Sequence, residues 1–239
     1  MKKIKTNLVE FHDLTLEESA EWVANNSIED GFKYVVTPNV DHLARLLDNT
    51  TDLMPIYESA DLCLCDSRIL KIMFHKKGYP LESVVPGSDL TATLFSKGYL
   101  ENKKTLVFGG DNEIFNTLKG RNPTLDLHHI NPSMGFIKRA NEVEALIDEV
   151  KQLNPDVLFL AVGSPQQEKF AYALQTKLNH GVALCIGASI LFITGEEKRA
   201  PVIFQKLHIE WLFRMIVAPR LIKRYWQNFL TLGRLYKSI

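Results

Sequence analysis

The chain has 239 residues, 46% hydrophobic and 23% charged, with 13 Phe and 7 Tyr, which excludes a disordered chain and fits one large domain or one domain with an appendage. Its 28 basic and 28 acidic residues cancel, which argues against a general nucleic-acid or membrane binder when the chain is taken whole. The cancellation hides a split: residues 211–239 hold Arg214, Arg220, Lys223, Arg224, Arg234 and Lys237 and no acid, so the end is +6 and the body −6.

Along the chain, short apolar runs alternate with helix-periodic stretches. The runs are Tyr34–Val36, Leu62–Cys65, Thr105–Phe108, Leu125–Leu127, Val157–Val162 and Val182–Ile186. The helical stretches are Leu14–Asn25, Val40–Asp48, Ile69–Lys76, Asp89–Lys97, Asn112–Lys119, Asn141–Leu153 and Gln166–Lys177. This rhythm predicts βαβ units and a mostly parallel sheet buried on both faces, a doubly wound α/β domain over residues 1–194. Ligands bind such sheets outside the carboxyl ends of the strands, so chemistry is sought just after each run.

After Gly195 the rhythm breaks. A charged turn and Pro201 lead into helix-compatible sequence over 195–239, interrupted by Pro219. From residue 220 on, the basic side chains fall in an arc of about 140° opposite an apolar arc. That pattern suits a helix packed on the body, or a basic amphipathic helix on an anionic membrane or anionic ligand, and both stay open here.

Four strand ends carry candidate residues. Thr37 and Asn39 follow the first long run and suit either a helix cap or hydrogen bonds to a polar ligand. Asp66 stands beside a helix N-terminus, which keeps a carboxylate ionised and able to take a proton from an attacking hydroxyl, although a plain N-cap would look the same. Gly109, in Phe108-Gly-Gly-Asp111, can let a turn approach phosphate, yet neither G-x-G-x-x-G nor a P-loop lysine is present. Gly163, Ser164, Gln167 and Glu168 read as a ligand-facing turn into a helix, because a purely structural helix start needs no Gln-Gln-Glu.

Metal and nucleophile signals are poor. The adjacent His128 and His129 would face opposite sides of a strand, and H-E-x-x-H, G-x-S-x-G and D-x-D are all missing. Diphosphate chemistry would therefore draw on basic side chains, and the tail holds the concentrated supply of Arg. Cys63, Cys65 and Cys185 lack C-x-x-C spacing and read as buried thiols. No apolar stretch suits a signal peptide or a membrane span, so a cytosolic protein is expected.

Six motifs, in order over residues 30–225, resemble the WecG/TagA/CpsF glycosyltransferases. They are Thr37-Pro-Asn39, Ala60-Asp-Leu-Cys-Leu-Cys-Asp66, Gly87-Ser-Asp89-Leu, Gly163-Ser-Pro-Gln-Gln167-Glu168, Arg199-Ala-Pro201 and Glu210-Trp-Leu-Phe-Arg214. The resemblance implies a Rossmann-like domain with a helical C-terminal appendage. It also implies inverting, metal-free and cofactor-free transfer of a sugar, often N-acetylmannosamine, in bacterial surface-polysaccharide synthesis. The donor would be a UDP-sugar and the acceptor a polyprenyl-diphosphate-linked sugar, met at the inner face of the cell membrane. By the same resemblance Asp66 is the general base, Thr37, Asn39 and Gln167 surround sugar and acceptor, and Arg214, Arg220 and Arg224 bind the diphosphate. The chain departs from the family pattern at Ser67, where many members have Gly, at Ser83–Pro86, which lacks an Arg, and at Leu191, where many have Asp.

Two rival readings are another nucleotide-binding enzyme on this fold, such as an oxidoreductase, and a non-catalytic module whose tail binds membrane or nucleic acid. Trp211, Tyr225 and Trp226 could stack bases, but one helix at +6 is a thin footprint and no nucleic-acid partner is expected. A homo-oligomer is compatible with the sequence.

Overall fold

The structure, a computed structural model, describes residues 1–48, 50–196 and 232–239. Two short strands, β1 (Lys3–Lys5) and β2 (Glu10–His12), pair antiparallel around a turn in which Thr6 Oγ1 accepts the Leu8 and Val9 N–H groups. Six more strands form one parallel sheet: β3 (Lys33–Val36), β4 (Leu62–Cys63), β5 (Lys104–Phe108), β6 (Asp126–Ile130), β7 (Val157–Leu160) and β8 (Val182–Cys185). Their spatial order is β4-β3-β8-β7-β5-β6.

Both sheet faces are apolar because successive side chains point to opposite sides. Tyr34, Val36, Leu106, Phe108, Leu158, Leu160, Ala183 and Cys185 face one side. They meet α2 (Val40–Asp48), α3 (Thr50–Glu58), α4 (Arg68–Lys76), α7 (Ala140–Leu153) and α8 (Gln166–Gln175). Val35, Val107, Val157, Phe159, Val182 and Leu184 face the other side. There they meet α1 (Leu16–Asn26), α5 (Gly87–Ser96), α6 (Asn112–Arg121) and α9 (Ser189–Thr194). Right-handed crossovers explain most of the sorting: the β3–β4, β6–β7 and β7–β8 connections run toward β4 on the first face, and the β5–β6 connection runs toward β6 on the second. The long β4–β5 connection starts on the first face with α4 and crosses to the second with α5. This is the doubly wound, Rossmann-like α/β fold expected from the rhythm of the sequence.

The differences from expectation have local causes. The three-residue strands β1 and β2 are too short for a readable period. Helix α3 contains Pro55, which reads as a breaker, and α9 occupies sequence that looks like the flank of a buried strand. Strand β6 begins and ends later than its apolar run, since as an edge strand it carries the polar His128 and His129. These two histidines do face opposite ways: His128 pairs with Asp126, and His129 stacks on Phe115 at 4.6 Å. All three cysteines are buried, unbridged thiols, and burial pushes Cys65 up to about 12.

At the other edge, the Cys63 N–H is donated to His12 Nδ1 at 3.0 Å, so a side chain closes an edge-strand donor. Burial, then the charge of Lys3, holds the His12 imidazole below its ordinary value of 6.5. As pH falls through that value the unfolded chain binds a proton that the folded chain refuses, so stability declines on the acid side. His12→Asn keeps an acceptor for Cys63 and removes the titration. Melting temperatures between pH 7.5 and 5 should fall less steeply in the variant; identical slopes would sink this account.

Residues 232–238 are helical and lie on the body. Leu235 and Ile239 are buried, the Ile239 carbonyl accepts Asn7 Nδ2 at 3.0 Å, and Arg234 pairs with Asp48 at 2.9 Å. The expected Pro219 interruption and the motifs at 199–201 and 210–214 lie outside the described residues. So do Arg214, Arg220 and Arg224.

Candidate active site

The carboxyl edge of the sheet brings together loops distant in sequence. After β3 the chain runs through Thr37, Pro38 and Asn39 into α2. Beside it, the loop after β4 is held by the Asp66 N–H donated to Pro38 O at 3.1 Å. Val85 N–H is donated to Cys65 O at 2.8 Å, which brings the start of α5 alongside. Gly87 has no Cβ for a reason: one built there would stand 2.9 Å from Thr37 Oγ1 and 3.7 Å from Ser189 Oγ. Thr37 Oγ1 is in turn donated to Cys185 O at the end of β8. Gln167, from the loop after β7, accepts the Gly187 N–H at 2.8 Å and so ties the β7 and β8 loops together.

Among the helices that begin along this edge, α2, α4, α5 and α8 start around these loops. Their N-termini supply positive potential, which suits an anionic ligand. Ser67 caps α4, its Oγ accepting the Leu70 N–H at 3.3 Å. The capping role that Asp66 could have taken thus belongs to its neighbour, and Asp66 sits half-buried one residue earlier.

Asn39 caps α2: its Oδ1 accepts the N–H of Asp41 at 3.0 Å and of His42 at 3.4 Å, and lies 2.8 Å from His42 Nδ1. His42 Nε2 stands 3.6 Å from Glu168 Oε1. Glu168 Oε1 also accepts Gln167 Nε2 at 2.9 Å. Gln167 and Glu168 are each only 2% exposed, so they lie beneath the crevice surface. The charge of Glu168 reaches its neighbours: burial first, then this carboxylate, pushes the Tyr57 phenol and the Cys185 thiol well above their ordinary values. Ser164 is half-buried and accepts Arg45 Nη1 at 2.7 Å, and the Cβ side of Gly163 faces open space.

Gly109 lies farther along the edge, at the end of β5. A Cβ there would meet Val162 Cγ1 at 2.7 Å and the Ala161 carbonyl carbon at 3.0 Å, and its φ is +103°. Asp111, two residues on, caps α6 by accepting the Ile114 N–H. Leu191, the departure from the family pattern, is half-buried on α9.

Sequence reasoning missed His42 and Arg45. Their signal is spacing: Asn39, His42 and Arg45 recur every three residues, which puts them on one side of α2. It also made little of Ser189, buried against Ile186 O in the loop after β8. Together the edge offers one carboxylate beside a helix start, amide and hydroxyl groups for a polar ligand, and helix N-termini for negative charge. That set can bind a polar, anionic molecule and remove a proton from a hydroxyl.

Known proteins bear on this edge directly. Three relatives from Staphylococcus aureus, strains NCTC 8325 / PS 47, MW2 and MRSA252, each bear the name N-acetylglucosaminyldiphosphoundecaprenol N-acetyl-beta-D-mannosaminyltransferase. Each is 25% identical over 217 residues, covering 87% of this chain and 82% of the relative. The model of the glycosyl transferase WecG/TagA/CpsF family matches residues 4–239, a span that includes every loop on the carboxyl edge. The chain is therefore a glycosyltransferase and belongs to the WecG/TagA/CpsF family.

Proposed function

We propose that this glycosyltransferase moves a hexose or N-acetylhexosamine from a UDP-sugar to a polyprenyl-diphosphate-linked sugar in bacterial cell-surface polysaccharide synthesis. The observation that carries the reading is the meeting of Asp66 with the Thr37–Asn39 loop beside four helix N-termini, in a chain of this family. The relatives' name couples an N-acetylmannosaminyl group to a diphosphoundecaprenol-linked sugar, which makes N-acetylmannosamine the first donor to try.

In this mechanism Asp66 takes the proton from the acceptor hydroxyl as its oxygen attacks the anomeric carbon. The bond to UDP breaks on the opposite face, so the product is inverted and UDP leaves with both bonding electrons. Thr37, Asn39, Gly163 and Ser164 line the sugar, Gln167 and Glu168 support it from beneath, and Gly109 shapes the β5 end of the edge beyond the sugar. Arg214, Arg220 and Arg224 stabilise the departing diphosphate, without a metal or cofactor.

The acceptor's lipid requires a meeting at the inner face of the cytoplasmic membrane. No helix among the described residues is long and apolar enough to cross a membrane. The acid-free 211–239 end is the proposed contact with anionic lipid, at about 1 kcal/mol per basic residue. Replacing Arg220, Lys223 and Arg224 with Ala should weaken binding to phosphatidylglycerol vesicles by roughly 10²-fold. Unchanged cosedimentation would remove the tail from the membrane contact.

The reading as a whole is tested by supplying UDP-, GDP- and dTDP-sugars with a short-chain polyprenyl-diphosphate sugar, with and without EDTA. Nucleotide release from a UDP-sugar in both conditions is the expected result. Release from no donor would overturn the reading.

A further inference from the structure

Glu168 presents a problem that the substrate reading alone leaves unsolved. It is 2% exposed, and its Oε2 is buried with no hydrogen-bond partner among the described residues. A buried carboxylate is costly unless it is paired, and a group with so little exposed surface has little with which to touch a sugar. Yet its Oε1 is engaged, by Gln167 Nε2 at 2.9 Å and by His42 Nε2 at 3.6 Å.

The hydrogen-bond network orients the His42 ring. Asn39 Oδ1 accepts two backbone N–H groups, which fixes its amide orientation. An amide oxygen only accepts, so the 2.8 Å contact to His42 Nδ1 needs a proton on that nitrogen. This outweighs the longer 3.3 Å approach of the Asn39 N–H to the same atom. His42 is then held between Asn39 and Glu168, its Nδ1 against the amide oxygen and its Nε2 turned toward the carboxylate. Among the described residues, Arg45 and Asp41 on α2, Tyr57 on α3 and Cys185 on β8 also lie near this pair. With its oxygen committed, Asn39 is left with Nδ2, whose two N–H groups have no partner among the described residues.

We propose that Glu168 is a positioning residue: acting through His42, it locks the Asn39 amide so that Nδ2 is presented to an oxygen of the donor sugar. The proposal rests on the reading of Asn39 as a donor-binding residue. It gives the Gln-Gln-Glu start of α8 a task carried out beneath the crevice surface, and it links the loops after β3 and β7.

A double-mutant cycle on the full chain tests it, with KM for the UDP-sugar active in the donor screen, kcat and melting temperature as readouts. Asn39→Ala and Glu168→Ala should each raise the donor KM about tenfold, with kcat within about threefold. The double variant should be no worse than Asn39→Ala alone, because both substitutions disable one contact. If Glu168→Ala does not fold, Glu168→Gln, which keeps the volume and removes the charge, takes its place with the same expected non-additivity. Additive KM effects would overturn the proposal, since Glu168 would then act on the donor independently of Asn39. So would an unchanged KM in a folded Glu168 variant that only lowers the melting temperature. An unchanged KM in Asn39→Ala would instead overturn the underlying donor-site reading.

Discussion

Asp66→Asn is expected to lower turnover by about 10²–10⁴-fold while leaving UDP affinity within about twofold of wild type. The amide has nearly the shape of the carboxylate but cannot take a proton, so the loss falls on the chemical step. Two local contacts should survive the change. Ser67, not Asp66, caps α4, and the link from residue 66 to Pro38 is made by its backbone N–H. Steady-state kinetics and UDP titration calorimetry on the same preparation separate the outcomes. A variant with full turnover would remove Asp66 as the base. One that loses turnover and UDP binding together would make residue 66 a structural or donor-binding position instead.

Gly109→Ala should destabilise the fold by about 2–4 kcal/mol, combining backbone strain with overpacking. The residue is fixed on three sides. Its N–H is donated to Ile130 O at 2.8 Å, its carbonyl lies 3.1 Å from His129 Nε2, and its missing Cβ would press against Val162 and Ala161. At φ +103°, relaxation into an ordinary left-handed well is also blocked. A melting-temperature drop of roughly 5–15 °C is expected for a protein of this size, with donor KM near wild type in the folded fraction. A stable variant with a raised KM would reverse the assignment and make Gly109 a point of close ligand approach.

The family match decides among the three readings that the sequence left standing. It selects a glycosyltransferase over an oxidoreductase or a non-catalytic module, and this agrees with the lack of G-x-G-x-x-G in the chain. Much of the edge that holds the site was legible beforehand. In a sheet covered on both faces the central strands are continuous apolar runs, so Tyr34–Val36 and Val182–Ile186 mark strands, and the polar residues after them mark the carboxyl edge. Asp66, Thr37, Asn39 and Gln167 could be named on that basis together with the motifs. His42 was not, because its three-residue spacing from Asn39 and Arg45 gains meaning only once Glu168 on α8 is known to lie beside it.

Local sequence determined the α/β rhythm, the buried thiols and the division between an acidic body and a basic end, because these depend on period, composition and charge along the chain. The tertiary structure decided which strand ends became neighbours. The order β4-β3-β8-β7-β5-β6 draws Asp66, Asn39, Gln167 and Gly187 to one crevice and leaves Gly109 and Asp111 farther along the edge. It also decided that Ser67 is the cap, and that Glu168 lies buried under Asn39 with His42 between them. Strand order is set by crossover handedness and by how the two helix layers pack, which act between segments far apart in sequence. No local pattern encodes them.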